Sequence, residues 1–308
     1  MPLYDHTIVV PGNLDGVHLG HQALLRHARQ LADTLGGNVT ALTLDPHPSM
    51  LLMPDRTPPL LTTIERKVEL LKHYGADKVC VETFDEAFSK LSPQDFIDQI
   101  LVKKLRAKAV VLGPDFRFGA ARQGTIETLR TFGENLGFKV HQMPIEEVNK
   151  EPISSTEIRH ALKRGEVAVA ARWLGRAYDL QGIVAHGAKR GRAIGFPTAN
   201  LENICTLLPA DGVYATISRR MGEPRSHLLF GVANVGERPT FAAPSAVEVH
   251  LFDVTDTFYG EPLRVAFLER LRAQQSFAGI HELRAQILMD CEYAKTVLAE
   301  KIPLCSTL

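Results

Sequence analysis

The sequence predicts two domains of different fold class: an α/β domain built on a parallel sheet, then a small antiparallel β-barrel that ends in a helix. The chain has 308 residues, which is longer than most single domains. Strand and helix patterns alternate in the first half, as in a parallel sheet with crossover helices. In the second half, short strands follow one another without helices between them. We therefore predict domains at residues 1–176 and 177–308.

In the first half, short apolar runs alternate with longer amphipathic segments. The apolar runs predict strands at Ile8–Val10, Val39–Leu44, Lys78–Val81, Ala109–Leu112 and Lys139–Met143. Helical spacing of apolar residues predicts helices at Gln22–Leu35, Ile64–His73 and Gln94–Leu105. Ligands of such sheets bind beyond the carboxyl ends of the strands. The segments Gly12–His21 and Asp45–Pro48, which follow the first two strands, are therefore candidate site segments.

Near Gly175 the pattern changes from alternating elements to strands alone. Two short helices precede this point, at Thr156–Arg164 and Glu166–Leu174, with Gly165 as the break. The predicted strands are Gln181–Ala185, Val213–Arg219, Leu228–Val232, Glu248–Val254 and Leu263–Leu268. One apolar stripe predicts the last helix, and its members are Ile280, Leu283, Ile287, Leu288, Cys291, Ala294 and Leu298.

The composition is that of a globular protein, with 45% hydrophobic and 23% charged residues. Because 35 basic residues balance 35 acidic ones, we expect no nucleic-acid partner. No stretch approaches the ~20 apolar residues that span a bilayer, so we also expect no membrane association. The four cysteines form no C-x-x-C pair, which favours reduced thiols and a cytoplasmic location. The sequence leaves open whether the chain forms a homo-oligomer.

The segment Gly12–His21, GNLDGVHLGH, has the pattern of a phosphate-binding helix start. A helix N-terminus offers unpaired N–H groups and a positive dipole end, and Gly20 lets an anion approach. His18 and His21 share one face of the first turn, where their donors suit charge that builds on a phosphoryl group. The candidate phosphate-binding residues are Gly12, Asn13, Asp15 and Gly20. The alternative is a capped helix with two surface histidines.

Two further segments of the first half are candidates for ligand contact. Ser154 and Glu157 match a capping box, which by itself predicts only a well-capped helix. Together with the histidine segment, the hydroxyls there and Arg159 could hold a second phosphate cluster. In Gly113–Gly119, the two aromatic residues that flank a charged one, Phe116 and Phe118, could form a wall against a ring, or could simply pack the turn.

In the second half, the segment Gly182–Asn200 combines glycines, basic residues and a Pro-Thr-Ala-Asn turn. It is not a Walker A loop, so an ATP site here would have to bind phosphates in another way. The candidate phosphate-binding glycines are Gly187, Gly191 and Gly195. The Thr198 hydroxyl and the Asn200 carbonyl are hard oxygen ligands suited to Mg²⁺. The alternative is a basic hairpin loop followed by an ordinary turn.

Strand alternation places Glu248, His250 and Phe252 on one face of a predicted strand. A carboxylate on a barrel strand is often just solvated. If Glu248 points at the mouth of the barrel, it can take a proton from a hydroxyl nucleophile.

Taken together, these motifs resemble the two modules of the bacterial bifunctional FAD synthetases. Four segments resemble the adenylyltransferase module, namely Gly12–His21, Leu44–Pro48, Gly113–Gly119 and Ser154–Arg159. That module belongs to the HxGH nucleotidyltransferase superfamily and has a Rossmann-like fold. Four further segments resemble the riboflavin kinase module, namely Gly182–Asn200, Gly231–Gly236, Arg238–Thr240 and Val247–Asp253. The resemblance implies that ATP and Mg²⁺ convert riboflavin to FMN, and that a second ATP adenylylates FMN to give FAD and pyrophosphate.

The resemblance also implies a role for each candidate residue. In the first module, His18 and His21 would stabilise the transition state, and the departing pyrophosphate would be held by Ser155, Thr156 and Arg159. The nucleotide and flavin pockets would be shaped by His47, Asp115 and Phe116. In the second module, Glu248 would be the base, the metal ligands would be Thr198 and Asn200, and Arg272 would belong to the flavin and nucleotide loop.

The sequence departs from the family pattern at three positions. Leu14 stands in place of the usual Phe, Gln274 in place of Glu, and Ser276 in place of a basic residue. We expect Leu14 to keep the packing and Arg272 to lack an acidic neighbour. Two other functions remain open: a single-activity FMN adenylyltransferase whose barrel only binds flavin, and a non-enzymatic flavin carrier or regulator.

Overall fold

The structure is a computed structural model that describes residues 6–144, 147–148, 151–186, 191, 194–222, 227–236, 246–254, 256 and 258–301. The chain divides into two compact units, Met1–Ser154 and Ser155–Leu308. The predicted boundary after residue 176 stays a prediction. Within the described residues, no helix is both long and apolar enough to cross a membrane.

The first unit contains the predicted parallel sheet. Its described strands are β1 (Thr7–Pro11), β2 (Asn38–Asp45), β3 (Lys78–Thr83), β4 (Ala107–Leu112) and β5 (Lys139–Gln142). They are hydrogen-bonded in the order β3-β2-β1-β4-β5, and every pair is parallel. Because the strand order reverses at β1, the crevice for a ligand opens beyond the carboxyl ends of β1 and β4.

Helices cover both faces of this sheet, since Ile8 and Val10 pack in one apolar cluster and Val9 packs in the other. The helices are α1 (Leu19–Leu35), α2 (Pro48–Leu52), α3 (Ile64–His73), α4 (Glu86–Ser89), α5 (Pro93–Asp95) and α6 (Ile126–Leu136). A π-helix, Phe96–Lys104, continues α5, and 3₁₀ turns lie at Pro54–Arg56 and Ala120–Arg122. A short hairpin pairs β6 (Glu147–Val148) with β7 (Glu151–Pro152).

The second unit contains a closed antiparallel barrel. The unit begins with two helices, α7 (Ser155–Lys163) and α8 (Val167–Leu174), and its last described element is the helix α9 (Ile280–Lys301). The described barrel strands are β8 (Tyr178–Ala185), β9 (Ala199–Glu202), β10 (Gly212–Arg220), β11 (Leu229–Gly236), β12 (Ala246–Leu251) and β13 (Pro262–Arg272). They close in the order β10-β11-β12-β9-β8-β13. The predicted fold class is confirmed for both units.

The apolar stripe of α9 is only partly buried. Cys291, Ala294 and Leu298 pack against the barrel, but Ile280 and Leu288 are 59% and 51% exposed. The predicted helix is therefore present, but its apolar stripe is exposed at these two positions. The barrel packs mainly against the later turns of α9. Apolar spacing alone therefore overestimates how much of the helix is buried.

Candidate active sites

The segment after β1 forms a tight loop that positions the start of α1. The Gly12 amide donates to the Leu42 carbonyl at 3.0 Å, and the backbone then takes positive φ at Leu14 (51°), Gly16 (79°) and Val17 (42°). Leu14 is 2% exposed, so it keeps its packing as predicted. The loop ends at His18, the N-cap residue of α1, whose side chain does not cap the helix.

The two histidines of the motif lie face to face. The rings of His18 and His21 stack with centroids 3.6 Å apart and planes 21° apart. Although His21 keeps some exposed surface, its Nδ1 atom is enclosed and has no hydrogen-bond partner among the described residues. Burial, with the nearby His18 and Lys67, lowers the pKa of His21 well below its ordinary value. The site therefore disfavours a further positive charge and favours an anion.

Lys67 is a buried cation of this site that the sequence analysis missed. It lies on α3 and is 4% exposed, with its Nζ 3.4 Å from the Thr43 hydroxyl, which donates to the Asn13 carbonyl at 2.9 Å. Burial lowers the pKa of Lys67, and Asp15 and Asp45 oppose that shift. A lysine at an inward position of α3, beside Leu70 and Leu71, is the signal that could have revealed it.

Asp15, predicted to bind phosphate, supports the loop in this structure. Its buried carboxylate accepts from the backbone amides of Leu61 and Thr62 at 3.0 and 3.1 Å, and from the Thr62 hydroxyl at 3.0 Å. A contact between Asp15 and a nucleotide stays a prediction. The hydrogen bonds explain why the loop holds its positive-φ conformation.

Replacing Asp15 with asparagine is expected to destabilise the first unit by about 2 kcal/mol, because all three donors lose an ionised acceptor. Denaturant unfolding followed by circular dichroism measures the effect. Asp33→Asn is the matched control, since Asp33 pairs with Arg29 on the surface and its loss should cost at most ~0.5 kcal/mol. Equal stability of the two variants would contradict the supporting role of Asp15.

A cavity of about 540 Å³ opens beyond β1, β2 and β4. It brings together the predicted residues Gly12, Asn13, His47, Asp115 and Phe116. Phe118, the second aromatic of the Gly113–Gly119 segment, also lines it, together with aromatic residues that were not predicted from the sequence, namely Phe84, Phe88 and Phe96. A volume of this size with aromatic walls suits a flat ring system with a few polar groups at its edge.

His47 closes one side of this cavity. Its Nδ1 is 2.7 Å from the Ser49 hydroxyl, and its Nε2 is 3.4 Å from the Asn13 side-chain nitrogen. On the other side, Gly119 has φ 70° and lies so close to Pro93 that a Cβ would be 2.8 Å from its nitrogen. Glycine is thus required where the Phe116–Phe118 turn packs against the start of α5.

The predicted pyrophosphate residues belong to the second unit. Ser155 and Thr156 begin α7, and Arg159 on the same helix is 8% exposed. Their expected position beside His18 and His21 stays a prediction.

In the barrel, ladder register places the candidate kinase residues in one row. Asn200 pairs with Glu248, Glu248 pairs with Asn234, and Asn234 pairs with Val213. Val213 pairs in turn with Arg272. Because directly opposite residues of an antiparallel ladder share a face, Glu248 lies between two amide side chains. Asn234 was not selected from the sequence, since only the register reveals it.

The segment before β9 is attached to the strand that carries Glu248. His250 Nδ1 donates to the Pro197 carbonyl at 2.8 Å, and the ring of Phe196 lies edge-on to the His250 ring. The rings of His250 and Phe252 also contact, which confirms the predicted shared face. Thr198, two residues before Asn200, is therefore held near the row of Asn200 and Glu248.

The glycines of this region are described only in part. Gly187 and the segment Arg238–Thr240 lie outside the described residues. At Gly191 a Cβ would be 2.3 Å from the Phe196 carbonyl oxygen, so the turn requires glycine there. Gly195 has φ 93°, with open space around it. Its contact with phosphate stays a prediction.

Arg272 does have an acidic partner, so the expectation that it lacks one is wrong. Its guanidinium donates to both carboxylate oxygens of Asp290 at 2.8–3.1 Å, and it lies 5.8 Å from the ring centre of Phe277. Asp290 comes from α9 rather than from the local motif, which is why comparison of the motif alone missed it.

Comparison with known proteins agrees with this division of the chain. The family model of FAD synthetase matches residues 3–157, and that of riboflavin kinase matches residues 174–298. These matches define a protein with one flavin-adenylylating and one flavin-phosphorylating module.

Curated relatives carry both modules in the same order. The Escherichia coli K12 bifunctional riboflavin kinase/FMN adenylyltransferase is 39% identical over 92% of this chain and 90% of that protein. The Bacillus subtilis protein of the same name is 38% identical over 94% of this chain and 91% of its own length. A crystal structure described as a macrolide-efflux protein from Streptococcus pneumoniae is 31% identical, covers 94% of both chains and has a TM-score of 0.84. The chain belongs to the family of bifunctional riboflavin kinase/FMN adenylyltransferases.

Proposed function

We propose that the two units catalyse the successive steps of FAD synthesis at the two sites described above. The barrel unit transfers the γ-phosphoryl group of ATP to riboflavin, and the α/β unit transfers the adenylyl group of a second ATP to FMN. The observation that carries this is one chain with both family matches and a separate candidate site in each matching unit.

Product analysis tests the proposal directly. Incubating the purified chain with riboflavin, ATP and Mg²⁺ should give FMN and then FAD by chromatography. If riboflavin stays unchanged while added FMN becomes FAD, the chain is a single-activity adenylyltransferase. If flavin binds and no ATP is consumed, the chain is a flavin carrier.

In the α/β unit, the reaction needs positioning rather than a side-chain base, because the attacking FMN phosphate is already an anion. We propose that the aromatic cavity holds the flavin rings, with His47, Asp115 and Phe116 at its edge. The α-phosphate of ATP then lies at the start of α1, where Gly12 and Gly20 allow close approach and His18 and His21 donate to the developing charge. Ser155, Thr156 and Arg159 hold the leaving pyrophosphate.

Lys67 adds fixed positive charge to this site, so replacing it with methionine should lower adenylyl transfer about 100-fold. The rate is measured as FAD formed from supplied FMN, and FMN formation from riboflavin should stay at the wild-type rate. Lys72→Met is the matched control, because Lys72 lies on the same helix but is exposed. If both lysine variants lose activity equally, charge at the site is not the cause.

In the barrel unit, the nucleophile is an alcohol, which needs a base at neutral pH. We propose that Glu248 takes the proton of the ribityl 5′-hydroxyl as that oxygen attacks the γ-phosphorus. Oxygen donors beside it fit Mg²⁺, which would be held by Thr198 and Asn200. When bound, the ion neutralises phosphate charge.

The proposed partners are small molecules, namely riboflavin, FMN and ATP. Among the described residues, Cys80, Cys205 and Cys291 are free thiols, which supports the proposed cytoplasmic location. No nucleic-acid or membrane partner is proposed, and a homo-oligomer is left open.

A further inference from the structure

The segment after β13 is attached to β11 by one side chain. Gln274 Nε2 donates to the Val235 carbonyl oxygen at 3.0 Å and to the Asn234 side-chain oxygen at 3.3 Å. These bonds use both hydrogens of the Gln274 amide group. The contact therefore crosses the start of β10, which lies between β13 and β11, and reaches the strand that carries Asn234.

The neighbouring backbone leaves space for this amide group. A Cβ built on Gly236 would lie within 3.0 Å of three atoms, all of which belong to the Gln274 side-chain amide. Gly236 has no positive φ, so its own backbone conformation does not require glycine. Because Gly236 has no side chain, the Gln274 amide can reach β11.

The bond to Gln274 also sets the direction of the Asn234 amide. Its oxygen faces Gln274, which turns its NH₂ group the other way. Asn234 is directly opposite Glu248 in the ladder, where Cβ atoms are about 5 Å apart. An NH₂ group directed along this row can donate to the Glu248 carboxylate or to the hydroxyl that the carboxylate must deprotonate.

We propose that Gln274 and Asn234 are positioning residues of the kinase site, in which Gln274 fixes the Asn234 amide so that it orients Glu248 and the hydroxyl nucleophile. The proposal rests on the assignment of Glu248 as the base. It assigns a role to a position where the sequence departs from the family pattern.

A double-mutant cycle tests the proposal. Gln274→Met keeps the length of the side chain but removes both donors, and should lower kcat for riboflavin phosphorylation ~10-fold with less than about a 2-fold change in either KM. Gly236→Ala should have a similar effect in the wild type, since its methyl group displaces Gln274. In the Gln274→Met background, where no polar contact is left to break, Gly236→Ala should add less than about 2-fold.

Three controls make the result decisive. FAD formation from added FMN should be unchanged in every variant, which reports that the α/β unit is intact, and thermal unfolding of each variant should match the wild type, which reports that the barrel is folded. Gln275→Met, at the adjacent exposed position, should match the wild type. Asn234→Ala should lower kcat as much as Gln274→Met, and combining the two should add nothing.

Independent, multiplying effects of the Gly236 and Gln274 substitutions would overturn the proposal. A change in KM alone would also overturn it, because that outcome describes a binding loop rather than orientation of the base. If Glu248→Gln keeps full kinase activity, the assignment of the base fails instead, so the two failures are distinguishable.

Discussion

Glu248→Gln is expected to abolish FMN formation while supplied FMN is still converted to FAD. Glutamine keeps the size of the side chain and its place between Asn200 and Asn234, but it cannot accept the proton of the ribityl hydroxyl. General-base catalysis contributes about 10²–10⁴-fold, so we expect kcat for riboflavin phosphorylation to fall by about 10³-fold. Initial rates of FMN formation, separated by chromatography, measure the loss.

Glu202→Gln is the matched control for this variant. Glu202 is an exposed glutamate at the other end of β9, so its replacement should leave both activities unchanged. Loss of both activities in Glu248→Gln would show that the two sites are not independent. Full FMN formation would show that Glu248 is not the base.

The two sites place different demands on their side chains. In the proposed mechanism the barrel site needs a base, and the register places the Glu248 carboxylate opposite the amides of Asn200 and Asn234. The α/β site needs no base, and it holds imidazoles and a buried ammonium at a helix start. The chemistry of each nucleophile, an alcohol in one step and a phosphate anion in the other, accounts for this difference.

Local sequence patterns predicted the helices and strands whose apolar residues follow a clear run or helical spacing. Strands β1 and β4 contain short continuous apolar runs, and α3 was placed at Ile64–His73, as in the structure. Several shorter elements were missed, among them α2, α4, α6, β6, β7 and β9. Strand β9 has four residues that make no alternating run, and α6 follows a loop, although the Thr125–Thr128 capping box marks its start.

Contacts between distant segments could not be predicted from local patterns. Asp290 reaches Arg272 from α9, and Lys67 approaches Thr43 from α3. Neither pair is close in the sequence, and each forms only when a helix packs on its sheet or barrel. The motif glycines and histidines could be predicted because they lie close together in the sequence. The positions of Asp290 and Lys67, in contrast, depend on how their helices pack.

His21→Ala is expected to cause FMN to accumulate from riboflavin, with FAD formation reduced by about 10²–10³-fold. This is the loss that follows removal of one donor aimed at developing charge. Riboflavin phosphorylation should proceed at the wild-type rate, since His21 lies in the other unit. The time course of both products in one reaction measures the two rates together.

A control on the same helix and a pH series complete this test. His27→Ala should keep FAD formation, because His27 pairs with His141 rather than with the stacked histidines. Since the folded pKa of His21 lies below the ordinary value of 6.5, the unfolded chain binds a proton there first. Its contribution to stability is therefore present above pH 6.5 and is lost as the pH falls towards the folded pKa. The first unit of His21→Ala should accordingly lose less stability between pH 7.5 and pH 5.5 than the wild type, and an equal loss would contradict the lowered pKa of His21.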